Sequence, residues 1–271
     1  LKRHFRIGTT SYIIPADIIP NARYLAGKVD DIQLILFESE DSSLPSAQDM
    51  QVLKEIGERE GVGYSVHFPI DTFLGETEPV RSESAAKHIE IVDLTAVLEP
   101  TVYIVHFNGD RAAPGHGTPS EDMNRWLGNS KKSMEEIISS TGVSTRKFCV
   151  ETLAYPFEMV DGIVEALGLS VCIDVGHLVV NGFSTASHLQ RYGNRVKSVH
   201  LHGAEGGKDH LDLTHLERPV LEAVLDFVED REVNLTIEVF NEKDLSASLQ
   251  VLKQHPGSYL GAAGCGGEGG Q

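Results

Sequence analysis

The sequence predicts a single α/β domain folded as a (β/α)8 barrel. Three observations carry this: eight short β-branched runs alternate with stretches of helical period, acidic and imidazole side chains recur at the ends of successive runs, and no glycine-rich phosphate loop follows the first run. The chain has 271 residues, and a barrel of this kind needs about 250.

The expected strands are residues 5–9, 32–37, 64–68, 102–107, 148–152, 170–174, 196–201 and 235–239. They read as near-continuous apolar runs, the pattern of parallel strands covered by helices. Between them, Ser46-Ala47-Gln48-Asp49 reads as a capping box, followed by Met50, Leu53 and Ile56 on one helix face and Gly61 as the stop. Met123, Trp126, Met134 and Ile137 mark a longer helix; Phe157, Val160, Ile163, Val164 and Leu167 mark another before Gly168; Val220, Leu221, Val224, Leu225 and Val228 mark a third. Such stripes are core packing rather than cofactor boxes. After the first strand stands Ile7-Gly8-Thr9-Thr10-Ser11-Tyr12, which lacks the dinucleotide fingerprint and so counts against an open doubly wound sheet. No internal linker is visible. Residues 1–256 are expected to form the barrel and residues 257–271, rich in glycine from Gly257 to Gly270, a flexible tail.

Composition narrows the function. No apolar run approaches the roughly 20 residues of a membrane span. Cys149, Cys172 and Cys265 are widely spaced and form no C-x-x-C pair, which predicts a reducing, cytoplasmic setting with Cys149 and Cys172 as small core residues. Net charge is −17, from 23 Lys+Arg against 40 Asp+Glu, with no basic run; a protein that displaces counterions from a nucleic-acid backbone needs the opposite.

In a barrel the reactive groups come from the C-terminal strand ends. Here those ends carry His67, His106, Glu151, Asp174 with His177, His200 with His202, and Glu238. A lone strand histidine is commonly a hydrogen-bonded core residue. Glu151, Asp174 and Glu238 converging in a barrel mouth would instead repel one another, and divalent ions turn that repulsion into binding. Imidazole with carboxylate suits Zn2+, Mn2+ or Fe2+ rather than Ca2+ or Mg2+ alone.

The order His, His, Glu, Asp-x-x-His, His, His, Glu resembles the xylose isomerase-like, AP endonuclease family 2 TIM-barrel superfamily, which includes endonuclease IV, over nearly the whole chain. The resemblance implies two or three divalent ions. The first would be held by His67, His106 and Glu151; the second by Glu151, Asp174, His200 and Glu238; the third by His177 and a loop residue, His210. Glu151 and Glu238 are the implied catalytic carboxylates. The superfamily's phosphodiesterases carry Asp-x-His in that loop, whereas Asp209 and His210 are adjacent here, so Asp209 joins the third set only if the loop is re-shaped. His202, on the same strand face as His200, is the other spare candidate.

Two classes use such a scaffold. A sugar isomerase or epimerase needs one ion, at Glu151, Asp174, His200 and Glu238, with carboxylates moving a proton beside a carbonyl. A phosphodiesterase needs two or three. His106 has no task in the one-metal enzyme, which favours phosphodiester hydrolysis. The strings at residues 5–21 and 36–39 resemble the bacterial cobamide-remodelling phosphodiesterases, which implies cleavage of the nucleotide-loop phosphodiester of a cobamide to cobinamide phosphate and an α-ribazole-type nucleoside. Thr10 and Glu38 in these strings, and His116 in the glycine-containing segment 108–119, expected to be a functional loop or lid, are expected substrate contacts. Each has a bland alternative: Thr10 capping its strand, Glu38 bonding a neighbouring loop, His116 inert in solvent. Endonuclease IV-like cleavage of DNA is disfavoured by the charge, and a barrel that binds without turnover remains a third class.

Overall fold

The computed structural model describes residues 4–108 and 120–255. Its strands are β1 (Arg6–Thr10), β2 (Asp31–Ile35), β3 (Gly63–His67), β4 (Tyr103–Val105), β5 (Phe148–Glu151), β6 (Ser170–Asp174), β7 (Val196–Leu201), β8 (Gly203–Glu205), β9 (Lys208–Leu211) and β10 (Asn234–Ile237). All but β8 and β9 run parallel and close into one barrel, in the order β1-β10-β7-β6-β5-β4-β3-β2. Closure is made by β1 against β10, from Arg6 opposite Asn234 to Thr9 opposite Ile237.

The helices are α1 (Ile18–Leu25), α2 (Ala47–Glu60), α3 (Val80–Thr95), α4 (Ser120–Thr141), α5 (Asp161–Leu167), α6 (Val175–Val180), α7 (Thr185–Tyr192), α8 (Arg218–Val228) and α9 (Glu242–Gln254). Helix α2 starts where the capping box predicts. The Ser46 hydroxyl accepts from the Asp49 N–H, the Asp49 carboxylate accepts from the Ser46 N–H, and Gly61 ends the helix at φ 70°. Among the described residues no helix is long and apolar enough to cross a membrane.

Strand alternation divides the side chains into two sets. Tyr64, Val66, Tyr103, Val105, Phe148, Val150, Val171, Ile173, Val199, Leu201, Leu235 and Ile237 point outward into the main core with the helices. Each such buried side chain contributes about 1.5–3 kcal/mol on leaving water. The residues between them face the lumen, where Val102, Ile104, Cys149 and Cys172 form a small separate cluster. The expectation of continuous apolar runs therefore holds for the outer face; apart from this cluster the lumen side is mostly polar, because the site occupies it.

The segment carrying His210 is not a loop. β8 and β9 form an antiparallel hairpin whose turn is Gly206 and Gly207, at φ 61° and 79°. Two consecutive residues at positive φ match the twist of a tight hairpin, and glycine adopts that geometry without strain. The expected tail 257–271, with Cys265, and His116 with all of the 108–119 segment beyond Asn108 lie outside the described residues.

Candidate metal centre

Each barrel strand from β3 onward delivers a ligand-type side chain to the same end. His67, Glu151 and Asp174 are the last residues of β3, β5 and β6, while His106 and Glu238 follow directly after β4 and β10. His200 lies on β7 and His202 just beyond it. Asp174 is also the N-cap of α6, its Oδ1 accepting from the His177 N–H at 2.6 Å. That bond sets His177 one helical turn beyond Asp174, which is why the pair is spaced Asp-x-x-His.

Two donor sets share Glu151. Glu151 Oε2 lies 2.9 Å from His106 Nε2 and 3.5 Å from His67 Nε2. The same oxygen is 3.5 Å from His200 Nδ1, which in turn is 3.5 Å from Asp174 Oδ2 and 2.9 Å from Glu238 Oε2. Ligand atoms of His67, His106 and Glu151 fall within 4.8 Å of one another, as do those of Glu151, Asp174, His200 and Glu238.

These groups are buried, and their electrostatics follow from that. Burial opposes ionisation of Glu151, but His106 and His200 outweigh it and hold its carboxyl well below the usual range. Burial likewise opposes the Asp174 charge, and His202 and His177 reverse the effect. Burial disfavours a His177 cation, yet Asp174, Glu151 and Glu238 lift it to about 10. Burial pushes the Cys172 thiol up to about 11, so beside His200 it is a neutral group at pH 7. The pocket is a set of buried carboxylates that the surrounding imidazoles hold in the charged form.

Two observations fit a divalent ion. His200 Nδ1 and Glu238 Oε2 are buried and face each other without a hydrogen bond, two donor atoms aimed at one point. On the far side of the ring, His200 Nε2 lies 3.0 Å from the Gln33 side-chain amide, and the Gln33 Oε1 beside it has no partner. As placed, the amide nitrogen faces His200 Nε2; with the amide turned, Oε1 would accept from His200 Nε2–H and the NH2 group would take the position without a partner. In that orientation the ring proton would sit on Nε2 and the Nδ1 lone pair would be left for an ion, the arrangement in which a second group fixes a ligating histidine. Gln33 was absent from the residues expected from sequence; its signal was one amide inside the apolar run Ile32-Gln33-Leu34.

The third set lies at the rim. His177 Nδ1 donates to the Thr152 carbonyl at 3.3 Å, which turns Nε2 toward Asp209 Oδ2 at 3.7 Å. Neighbouring residues of an extended strand point to opposite faces, but His210 is left-handed at φ 54°. Asp209 and His210 therefore meet, with Asp209 Oδ1 at 2.9 Å from His210 Nδ1, and His210 Nε2 looks toward Glu238 Oε2 at 3.9 Å. The left-handed backbone at His210 thus brings two side chains adjacent in sequence into contact.

His202 takes a different place. Its Nδ1 accepts from the His210 N–H at 2.8 Å, so its proton sits on Nε2, which donates to Asp174 Oδ1 at 3.0 Å. Although a nitrogen of His202 lies within 4.8 Å of donor atoms of His210 and Glu238, neither of its nitrogens is free. In this structure His202 supports Asp174 and the hairpin, and with His210 and Glu238 it also makes a group that could hold an ion. Gly176 makes room for it, since a Cβ there would stand 2.0 Å from the His202 ring.

Of the expected substrate contacts, Thr10 is wholly buried and donates to the Val239 carbonyl at 2.7 Å, stitching the closure of the barrel instead of facing a ligand. Glu38 is exposed and accepts from the Ser43 hydroxyl at 3.0 Å.

The chain matches the model of the family described as "Xylose isomerase-like TIM barrel" over residues 26–255. No curated protein matches it significantly. Among solved structures it is similar to a D-tagatose 3-epimerase-like protein, with TM-score 0.71 and 20% identity over 92% of this chain and 96% of that one. It is also similar to endonuclease IV from Thermus thermophilus, with TM-score 0.69 and 20% identity over 92% and 97%. A 3-keto-D-glucoside 4-epimerase from E. coli gives TM-score 0.65 and 15% identity over 90% and 96%. At such identities these likenesses are of fold, while the family match spans most of the sequence. The chain belongs to the xylose isomerase-like TIM barrel family.

Proposed function

We propose that the protein is a metal-dependent phosphodiesterase acting on a small-molecule phosphodiester, with the nucleotide-loop phosphodiester of a cobamide as its substrate. The observation that carries this reading is the second donor set: His67 and His106 face the same Glu151 oxygen that faces His200. Divalent ions bound there would activate water and neutralise charge developing on the phosphoryl oxygens. Zn2+ is the first candidate, with Mn2+ or Fe2+ as alternatives for the same donors.

The chain's own residues do the rest. Glu151 spans both donor sets and fixes their spacing. Asp174, held by His202 and by the His177 N–H, cannot swing out of the second set. Glu238 Oε2 lies between His200 Nδ1 and His210 Nε2, at 2.9 and 3.9 Å, linking the second and third sets. Water adds at phosphorus and one P–O bond breaks, leaving a phosphomonoester and an alcohol. The acidic net charge supports a small substrate over nucleic acid, and the strings at residues 5–21 and 36–39 support a cobamide.

A one-metal sugar isomerase or epimerase is the second reading, favoured by the self-sufficient group Glu151, Asp174, His200 and Glu238. Incubating metal-replete protein with adenosylcobalamin, beside a chelated control, separates the two. Chelator-sensitive formation of cobinamide phosphate and an α-ribazole-type nucleoside, resolved by mass, is the expected result. Intact cobamide from a fully metallated sample would remove the cobamide, and isomerisation of a ketose by that sample would replace the phosphodiesterase.

A further inference from the structure

We infer that Tyr12, Phe37 and Phe240 form an apolar subsite at the barrel mouth that takes a planar aromatic ring of the substrate beside the metal centre. This rests on the phosphodiesterase reading and specifies the group that adjoins the phosphodiester.

The three rings come off the C-terminal ends of adjacent strands: Tyr12 after β1, Phe37 after β2 and Phe240 after β10. The ring centroids of Tyr12 and Phe37 are 4.9 Å apart, those of Phe37 and Phe240 5.9 Å, and those of Phe240 and His210 5.3 Å. The aromatic series thus runs without a gap from an imidazole of the candidate metal centre to the loop after β2. Phe37 and Phe240 are 39% and 37% exposed, the exposed phenylalanines among the described residues, whereas Phe68, Phe107, Phe148 and Phe157 are buried. Two rings left in water side by side, against the site, need a reason that packing does not supply.

The cleft they border has a volume of about 500 Å3 and is lined further by Ile13, Ile14 and Pro15. Its floor is built, not incidental. Asn21, wholly buried on α1, accepts from the N–H groups of Ile13 and Ile14 at 2.8 and 2.9 Å and donates to the carbonyls of Ile14, Ala16 and Asp17. On the other side, the Ser39 N–H and hydroxyl donate to Asp71, holding the chain just past Phe37. Both flanking loops are therefore fixed with the cleft open.

The chemistry selects the occupant. Among the described residues no Lys or Arg lines the cleft, so the phosphoryl group belongs at the metal ligands. A sugar laid there would find only the Tyr12 phenol and Asn241 for its hydroxyls and would lose hydrogen bonds to water. A flat heteroaromatic ring has π-faces for Phe37 and Phe240 and little to desolvate, and stacking of this kind is worth about tenfold or more in affinity per ring.

The test is calorimetric titration of the full chain, with and without bound ions, using a benzimidazole ribonucleoside and, separately, ribose. The nucleoside is expected to bind and ribose not to. Phe37→Leu and Phe240→Leu, which keep apolar bulk but lose the ring, are each expected to weaken nucleoside binding about tenfold, while Phe240→Tyr retains it. Both positions are exposed enough for the variants to keep the wild-type unfolding midpoint, which is measured alongside. Absence of nucleoside binding, ribose binding as tightly as the nucleoside, or Leu variants that bind like wild type would each overturn the subsite. Ring-dependent binding in a protein that cleaves no phosphodiester would leave the subsite standing and remove the phosphodiesterase. Phosphodiester cleavage with ring-independent binding would do the reverse.

Discussion

The Gln33 amide lies 3.0 Å from Nε2 of His200, and the opposite nitrogen of that imidazole faces Glu151, Asp174 and Glu238. One buried amide thus decides which nitrogen of His200 is free to ligate. Gln33→Leu would leave His200 Nε2–H unpaired and the ring free to turn. It should weaken ion binding at the Glu151, Asp174, His200 and Glu238 set about 10- to 100-fold. Its cost in stability should be only about 1–3 kcal/mol. Gln33→Glu, which still accepts that N–H, should stay near wild type. Competition against a coloured chelator measures the affinity; an unchanged value in Gln33→Leu would remove the proposed role.

His106 separates the two functional readings. Its Nε2 contacts Glu151 at 2.9 Å, and it is outside the four-residue group that suffices for one ion. His106→Ala should lower phosphodiester hydrolysis by about 100-fold or more while the four-residue set keeps its ion. Undiminished hydrolysis in His106→Ala protein with one ion per chain would remove His106 from the reaction.

The contact between Asp209 and His210 makes the third set separable from the other two. Asp209→Ala releases the His210 ring and removes the carboxylate that faces His177. Metal content of the reconstituted variant should fall relative to wild type at limiting metal, with His67, His106, Glu151, Asp174 and His200 still loaded. An equal content at every metal concentration would exclude Asp209 from ion binding.

Asp31, at the opposite end of the lumen, predicts a pH effect independent of metal. It is wholly buried and accepts from the Ser65 hydroxyl at 2.5 Å and the Thr101 hydroxyl at 3.3 Å. Burial pushes its carboxyl up to about 6, against the pull of those hydroxyls and Arg6. The folded pKa lies above the unfolded one, so Asp31 contributes its full stability below about pH 4 and loses it as pH rises toward 6. Between pH 4 and pH 8, Asp31→Asn should therefore gain roughly 3 kcal/mol relative to wild type. Urea unfolding of both proteins at the two pH values measures it; a difference that stays constant with pH would contradict the assignment.

Much of the fold was legible because outward strand positions are apolar and turn residues punctuate them. The expected strands 170–174 and 196–201 coincide with β6 and β7, and the Ser46 capping box starts α2. The ligand types were legible because a carboxylate such as Glu151, inside Phe148-Cys149-Val150, has no packing reason to be there. Other features depend on partners distant in sequence. Gln33 acquires meaning only beside His200, which is 167 residues away. The left-handed backbone at His210 has no local signature, whereas the hairpin around it is marked by the Gly206-Gly207 pair. Thr10 looked like a contact because its string resembles a family motif, and its hydroxyl closes the barrel instead.

The proposed function requires Glu151 to serve at least two ions. Metal analysis of Mn2+-reconstituted protein, with electron paramagnetic resonance on the same sample, tests it most directly. Two or more ions per chain and the signal of an exchange-coupled pair, lost in Glu151→Gln, are expected. One ion per chain at saturation, with an isolated Mn2+ signal, would contradict it.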